Sequence, residues 1–232
     1  MIPKIIHYCW FGGKPLPKSA IKCINSWKKF FPDYEIKEWN ERNFDVNLIP
    51  YTKEAYAAKK YAFVSDFARF WVLHEYGGIY FDTDVEVIRN MKEILSMGAF
   101  MGFEKRTNIE QHKHYINPGL GMSSAKSNIF FKEIIDIYSN FSGFSLGKGT
   151  VCEITSLHLI KKGAKLSGGF ETIEEINLLP ADYLCPQAMI GAPIILTENT
   201  HSIHHFDCTW LPLWKRKAVI IKQKLKSLFE NP

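Results

Sequence analysis

The stretch Gly77-Gly78-Ile79-Tyr80-Phe81-Asp82-Thr83-Asp84 constrains this chain more than any other. A glycine pair stops a long helical pattern running from about Thr52 to Tyr76, three apolar residues make a short buried strand, and two aspartates stand where that strand ends. Upstream, Ile5 to Tyr8 reads as a buried first strand and Gly12-Gly13-Lys14-Pro15 as a turn. A helix follows from about Pro17 to Phe30, and Tyr34 to Trp39 alternates apolar and polar residues as a second strand. This βαβ opening predicts an α/β fold with a parallel sheet and a ligand crevice at the carboxyl ends of its strands, which is where Asp82 and Asp84 fall. Further strands are expected over Ala99 to Phe103 and Gly119 to Ser123, and helices near Asn128 to Tyr138 and Glu153 to Lys161. No internal repeat or linker divides residues 1–211, which read as one domain followed by a distinct tail, 212–232.

With 46% hydrophobic and 23% charged residues, 232 positions suffice for a buried core, so disordered, collagen and coiled-coil readings fall away. Five cysteines, an odd number with no CxxC pair, suit a reducing compartment better than a disulfide scaffold or zinc ribbon. The N-terminus runs almost directly into a strand without a leader-like apolar core, and no run reaches the ~18–20 apolar residues of a membrane span. These features predict a cytoplasmic protein.

The net charge of +5 sits entirely in the tail, where Lys215, Arg216, Lys217, Lys222, Lys224 and Lys226 face only Glu230. A nucleic-acid-binding fold spreads its cations over the folded domain, so nucleic acid is not an expected partner. Drawn as a helix, the tail places Trp214, Ala218, Ile221, Leu225, Leu228 and Phe229 in one stripe with lysines to the sides, while Val219 and Ile220 lie off it. A basic amphipathic helix of this kind reads either as a membrane-surface anchor at the inner face of the cytoplasmic membrane or as a terminal helix packed on its own domain.

Two carboxylates at i and i+2 on the turn out of a strand can lean toward one hard cation, leaving its other positions to phosphate oxygens and water. A diphosphate leaving group needs such a cation as negative charge develops on it. Taken alone, an Asp-x-Asp turn is equally an acidic solvated turn. The preceding helix adds weight. Asp66 and Arg69 share one face of the otherwise apolar segment Ala62 to Leu73, and buried helices rarely carry charges without a use for them. The pair either satisfies itself internally or offers Asp66 to sugar hydroxyls and Arg69 to phosphate oxygens.

Ile2-Pro-Lys-Ile-Ile-His-Tyr-Cys-Trp-Phe-Gly-Gly13, Ser65-Asp-Phe-Ala-Arg69 and Tyr76-Gly-Gly-Ile-Tyr-Phe-Asp-Thr-Asp-Val85 together resemble the sugar-binding DXD glycosyltransferases. That group includes fungal initiating mannosyltransferases, α-1,4-galactosyltransferases, bacterial capsule and lipopolysaccharide enzymes and, more distantly, the large clostridial toxins. The resemblance is close from residue 2 to about 86 and looser from 98 to 210. It implies a GT-A, Rossmann-type mixed sheet flanked by helices, a nucleotide-diphosphate sugar donor, a Mn²⁺ or Mg²⁺ ion, a glycan or lipid-linked glycan acceptor, and transfer with retention at the anomeric carbon.

Position by position, the resemblance implies that Trp10 flanks the nucleotide base, although a tryptophan closing a buried strand is also ordinary core packing. It gives Asp66 and Arg69 the donor sugar and phosphate, Tyr80 the wall of the same pocket, Asp82 the ribose and metal shell, and Asp84 direct metal ligation. The catalytic set is then Asp82, Asp84 and Arg69, with no general base nominated. Asn117, in Asn117-Pro118-Gly119-Leu120-Gly121, matches a family position near the sugar, though these residues also make an ordinary turn. The polar stretch His112-Lys113-His114 before it reads as an acceptor loop. GT-A enzymes return a C-terminal segment to cap the metal, and His204-His205-Phe206-Asp207-Cys208-Thr209-Trp210 is the candidate here. His205, five residues before Trp210, is the chosen third metal ligand over His204 and Asp207, with Trp210 counted in the donor site; Thr209 stands where the family often has serine. Two rival readings are a magnesium phosphohydrolase of the Asp-x-Asp type, disfavoured by Glu86 and the 81 residues before the pair, and a non-catalytic membrane-docking module.

Overall fold

In a computed structural model describing residues 1–108, 113–145, 149–209, 211 and 213–230, the apolar strands assemble into a mixed sheet covered by helices on both faces. In chain order the elements are β1 (Ile5–Cys9), α1 (Lys18–Phe30), β2 (Glu35–Trp39), α2 (Pro50–Ala57), α3 (Tyr61–Tyr76), β3 (Gly78–Tyr80), β4 (Val85–Val87), α4 (Lys92–Ser96), β5 (Ala99–Asn108), β6 (Lys113–Ile116), β7 (Met122–Ser124), α5 (Ile129–Ser139), α6 (Val151–Lys161), β8 (Glu171–Ile173), β9 (Ile176–Leu179), α7 (Ala181–Leu184), β10 (Ser202–His204) and α8 (Leu213–Glu230). The main sheet runs β2-β1-β3-β7-β5-β9-β8, with β6 paired to β5, and β10 and β4 form a separate two-stranded sheet.

The βαβ opening folds as its pattern predicts: β1 pairs in parallel with both β2 and β3. The parallel pairing expected from that opening gives way at β7, which runs antiparallel to both β3 and β5, and the sheet is mixed as the family resemblance implies. Because β7 is reversed, the turn feeding it, Asn117 to Gly121, lies beside the carboxyl end of β3. The reversal therefore brings a second loop to the crevice.

Period-two alternation distributes side chains to two cores. Ile6, Phe81 and Phe100 pack with Cys23, Trp27 and Leu184 on one face. Tyr80, Met101 and Phe103 pack with Phe67, Phe70, Phe130 and Ile134 of α3 and α5 on the other.

The single helix expected over 52–76 is two helices. Lys59 adopts a left-handed conformation (φ 57°) and the Lys60 N–H closes onto the Ala55 carbonyl at 2.8 Å, ending α2. Tyr61 restarts the chain as α3, whose direction is thereby independent of α2. At its far end Gly77 (φ 65°) and Gly78 (φ 105°) are required twice over: a Cβ would lie 2.7 Å from the Lys126 nitrogen at Gly77 and 2.5 Å from the Ile5 carbonyl oxygen at Gly78. This tight passage drops the chain from α3 directly into β3 and aims Asp82 at the crevice.

α8 is helical, as the tail's pattern predicts, and it touches the domain through an off-stripe residue: a Cβ on Gly191 would lie 3.1 Å from the Ile220 Cα. Val219 and Ile220 are half-buried, whereas Trp214 and Ile221 are 68% and 58% exposed and Ala218 is exposed, so these three stripe residues face away from the domain.

Candidate active site

Asp82 leaves β3 at its carboxyl end and is fixed from three sides. Its backbone N–H donates to the Gly119 carbonyl at 3.2 Å, its Oδ1 accepts from the Tyr80 hydroxyl at 2.9 Å, and the same oxygen lies 3.3 Å from Arg69 Nη2. Arg69 Nη2 also lies 2.9 Å from Asp66 Oδ1, while its Nε donates to the Ser65 carbonyl at 3.1 Å and its guanidinium sits 5.2 Å from the Tyr80 ring centroid. The helix spacing that placed Asp66 and Arg69 on one face thus delivers them to the end of β3. The pair is not self-contained, because Arg69 bridges Asp66 to Asp82.

Burial sets the electrostatics here. It pushes Asp66 up to about 6, the attraction of Arg69 only partly opposing it and Asp82 adding to the rise. Asp82 is also raised, by burial and by the charge of Asp84, against the pull of Arg69. Arg69 is driven above its ordinary value because Asp82, Tyr80 and Asp66 outweigh the burial penalty.

Asp84 closes the turn, with the Val85 N–H donating to the Asp82 carbonyl at 3.1 Å. Its Oδ2 accepts from the Asp207 backbone N–H at 2.9 Å, its carbonyl accepts from the His205 N–H at 3.0 Å, and its Oδ1 lies 3.2 Å from His204 Nε2. Burial favours the neutral acid, but the charge and hydrogen bond of His204 and the Asp207 N–H outweigh it and hold Asp84 at about 2. His204 is raised in turn, Asp84 overcoming the effect of burial. One ligand atom from each of Asp82, Asp84 and His204 lies within 4.8 Å of the others.

This differs from the expected third ligand. β10 pairs antiparallel with β4, setting Ile203 opposite Glu86 and His204 opposite Val85. By strand alternation His205 shares the Ile203 face, and its Nε2 pairs with Glu86 Oε2 at 2.8 Å. His204 takes the other face and reaches the aspartates, with its Nδ1 buried and unpartnered and the Phe206 ring edge-on at 4.2 Å. Spacing back from Trp210 could not reveal this, because facing within a strand depends on register. Asp207 contributes its backbone N–H.

The donor set fits a divalent cation. Two carboxylate oxygens and an imidazole nitrogen converge, the Asp82 and Asp84 carboxylates repel each other in the bare protein, and the imidazole's outer nitrogen lacks a partner.

Trp10 follows β1 at the same edge, half-buried, with its indole N–H donating to the Lys14 carbonyl at 2.6 Å and so bracing the Gly12-Gly13 turn. Asn117 is buried, and its Oδ1 accepts from the Gly119 N–H at 2.8 Å. A Cβ on Gly119 would collide with Asp82 Oδ2, so Asn117 and Asp82 share one wall. Asn117 Nδ2 donates to Glu104 Oε1 at 2.9 Å, bringing in a residue that motif reading passed over. Glu104 does carry a sequence signal, an acid directly after the apolar run Ala99 to Phe103, as Asp82 follows Ile79 to Phe81. Trp210 and His112 lie outside the described residues.

Residues 17–101 match the family described as the glycosyltransferase sugar-binding region containing the DXD motif. A glycosyltransferase of Acanthamoeba polyphaga mimivirus is 33% identical over 236 residues, covering 97% of this chain and 90% of its own. Inositol phosphoceramide mannosyltransferase 3 of Schizosaccharomyces pombe is 32% identical over 104 residues, 43% of this chain and 29% of its own. Among solved structures, a glycosyltransferase involved in the glycosylation of the major capsid of PBCV-1 superposes with a TM-score of 0.54 at 12% identity, covering 94% of this chain and 100% of that one. The PaToxG glycosyltransferase superposes at 0.51 with 19% identity over 70% of each chain. At these identities the structural likeness speaks for the fold alone.

The mixed sheet with its carboxylate-bearing strand end is that of a GT-A glycosyltransferase. The chain belongs to the glycosyltransferase family whose sugar-binding region carries the DXD motif. Membership sets the phosphohydrolase and binding-module readings aside.

Proposed function

We propose that this protein transfers a hexose from a nucleotide-diphosphate sugar to a hydroxyl of a glycan or lipid-linked glycan, with retention at the anomeric carbon and with Mn²⁺ or Mg²⁺ as cofactor. The convergence of Asp82, Asp84 and His204 beside the Arg69–Asp66 bridge, at the carboxyl ends of β1 and β3, carries this reading. Asp82, Asp84 and His204 would hold the cation, whose charge stabilises the departing diphosphate. An imidazole among the ligands favours Mn²⁺ over Mg²⁺, which prefers oxygen throughout.

The chain's own groups supply the rest. Arg69 anchors Asp66 and Asp82 so that their outer oxygens present fixed acceptors to sugar or ribose hydroxyls. Tyr80 locks the Asp82 rotamer, the Asn117 turn abuts Asp82 on the same wall, and Trp10 flanks the base. Metal-dependent turnover of UDP-glucose, UDP-galactose or GDP-mannose, with the product anomer assigned by NMR, tests the reading; turnover insensitive to chelator, or an inverted product, contradicts its metal or stereochemical part.

The two histidines separate cleanly. His204→Ala is expected to weaken Mn²⁺ binding by about 10-fold or more, as loss of one of three ligands should, whereas His205→Ala removes only a half-exposed pair with Glu86 and leaves Mn²⁺ affinity within about twofold. Calorimetric titration with Mn²⁺ distinguishes the two, and the opposite ranking would return the ligand to His205.

No helix among the described residues is long and apolar enough to cross a membrane. The proposed membrane contact is peripheral, at the inner face of the cytoplasmic membrane. Exposed Trp214 and Ile221 stand with Lys215, Lys217 and Lys222 on α8, and α8 leans on Gly191, close in sequence to the exposed Ile194, Ile195 and Leu196. Each cation near an anionic leaflet contributes ~1 kcal/mol. The triple reversal K215E/K217E/K222E is expected to lower binding to phosphatidylglycerol vesicles by on the order of 100-fold. Equal cosedimentation of variant and wild type would exclude this helix as the contact.

A further inference from the structure

Glu104 stands outside the Asp82–Asp84–His204 cluster yet is tied to it through the Asn117 turn, which abuts Asp82. β3 and β5 are each antiparallel to β7, hence parallel to one another, and Met122 lies opposite both Tyr80 and Met101. Asp82 lies two residues beyond that level, just past the end of β3, and Glu104 three residues beyond it, still within β5. The register of β5 against β6 then slips between Phe103 and Thr107, an irregularity of the kind that re-aims a side chain beside a site.

The carboxylate is held at one oxygen. Glu104 Oε1 accepts from Asn117 Nδ2 at 2.9 Å and lies 3.9 Å from Cys152 Sγ. Asn117 is itself fixed by the Gly119 N–H against the Asp82 wall. The Cys152 thiol is raised by burial first, then by the charges of Glu104 and Asp66, with Arg69 and Asp82 also felt. Among the described residues no cation pairs with Glu104, and no hydrogen bond reaches its Oε2. The adjacent Lys105 turns away to donate to the Pro186 carbonyl at 3.1 Å. A half-buried carboxylate braced at one oxygen, with no hydrogen-bond partner at the other among the described residues, can receive a hydroxyl donor there.

We infer that Glu104 is a further donor-sugar ligand, its Oε2 accepting a hydrogen bond from a hydroxyl of the transferred sugar while Asn117 and Cys152 hold the carboxylate in place. This rests on the glycosyl-donor reading above. Calorimetry in Mn²⁺ with UDP and GDP, and with UDP-glucose, UDP-galactose and GDP-mannose, isolates the part of the affinity that comes from the sugar. Glu104→Gln keeps an oxygen for Asn117 and replaces the bare acceptor with a donor. For the nucleotide sugar that binds the wild type best, its Kd is expected to rise about tenfold, while that of the matching diphosphate changes less than about twofold. Glu104→Asp, which keeps the charge but shortens its reach, is expected to fall between, and circular dichroism melts establish that each variant is folded. If sugar and bare diphosphate lose affinity equally, or the wild type gains nothing from the sugar, the inference fails while the donor reading stands. If the wild type binds neither class, both fall.

Discussion

Asp84→Asn is expected to lower metal-dependent turnover of the nucleotide sugar by on the order of 10²- to 10³-fold without unfolding the protein. Asp84 is the carboxylate kept lowest in this site, at about 2, because the charge of His204 and the Asp207 N–H prevail over burial. It is therefore anionic wherever the protein is folded and active, and it supplies the least protonated oxygen for the cation. Asparagine keeps an oxygen for the Asp207 N–H but brings an amide instead of a charge. Some stability goes with that charge. A folded-state value below the ordinary 3.8 contributes stability that is present above 3.8 and is lost as pH falls through about 2, so at pH 7 the variant forgoes about 2 kcal/mol or less, relief of the repulsion on Asp82 offsetting part of it. A thermal-shift series with UDP-sugars or GDP-sugars, with and without Mn²⁺, reads the effect: the wild type is stabilised only when metal is present, and the variant is not. A full metal-dependent shift in the variant would remove Asp84 from the ligand set.

Arg69→Met carries the largest expected loss of stability. The guanidinium is 5% exposed, bridges Asp66 and Asp82 through one nitrogen and donates to Ser65 through another. Methionine fills similar space but strands two enclosed carboxylates, which costs about 3–5 kcal/mol, or on the order of 10 °C in unfolding temperature. The loss depends on pH with a definite sign. Asp66 already sits at about 6, above its ordinary 3.8, so ionising it opposes folding: this penalty is absent below 3.8 and fully felt once pH has risen through 6. Without Arg69 the rise is steeper, so the gap between variant and wild type narrows as pH falls from 7 toward 5, and adding Asp66→Asn recovers part of it. Urea unfolding across that range provides the test, and a deficit that stays constant with pH would mean that Arg69 acts through packing alone.

Local pattern revealed much of this architecture, and its failures share one cause. Ile5 to Trp39 could be read because a βαβ unit is specified by neighbours in sequence, and the placement of Asp66, Arg69, Asp82 and Asp84 follows from helix spacing and strand termination. The break at Lys59 was hidden because nothing in Ala57-Ala58-Lys59-Lys60 disfavours a helix; the turn there is dictated by how α2 and α3 pack, visible in the Tyr56 and Tyr61 rings 5.4 Å apart. The reversal of β7 and the turning of His204 rather than His205 toward the aspartates depend on which strand lies alongside, a relation across more than a hundred residues in the case of β10 and β4. Likewise, the tail's stripe was correct as a pattern, but only the contact between Ile220 and Gly191 reveals which side of α8 meets the domain.

The clasp between β4 and β10 joins residues more than a hundred positions apart, and this orders events during synthesis. The domain's sheet can begin to gather as its first strands leave the ribosome, but His204 emerges more than a hundred residues after Asp84. Until then the aspartate turn lacks the imidazole that faces it, so a nascent copy carries the two carboxylates without the third member of their cluster.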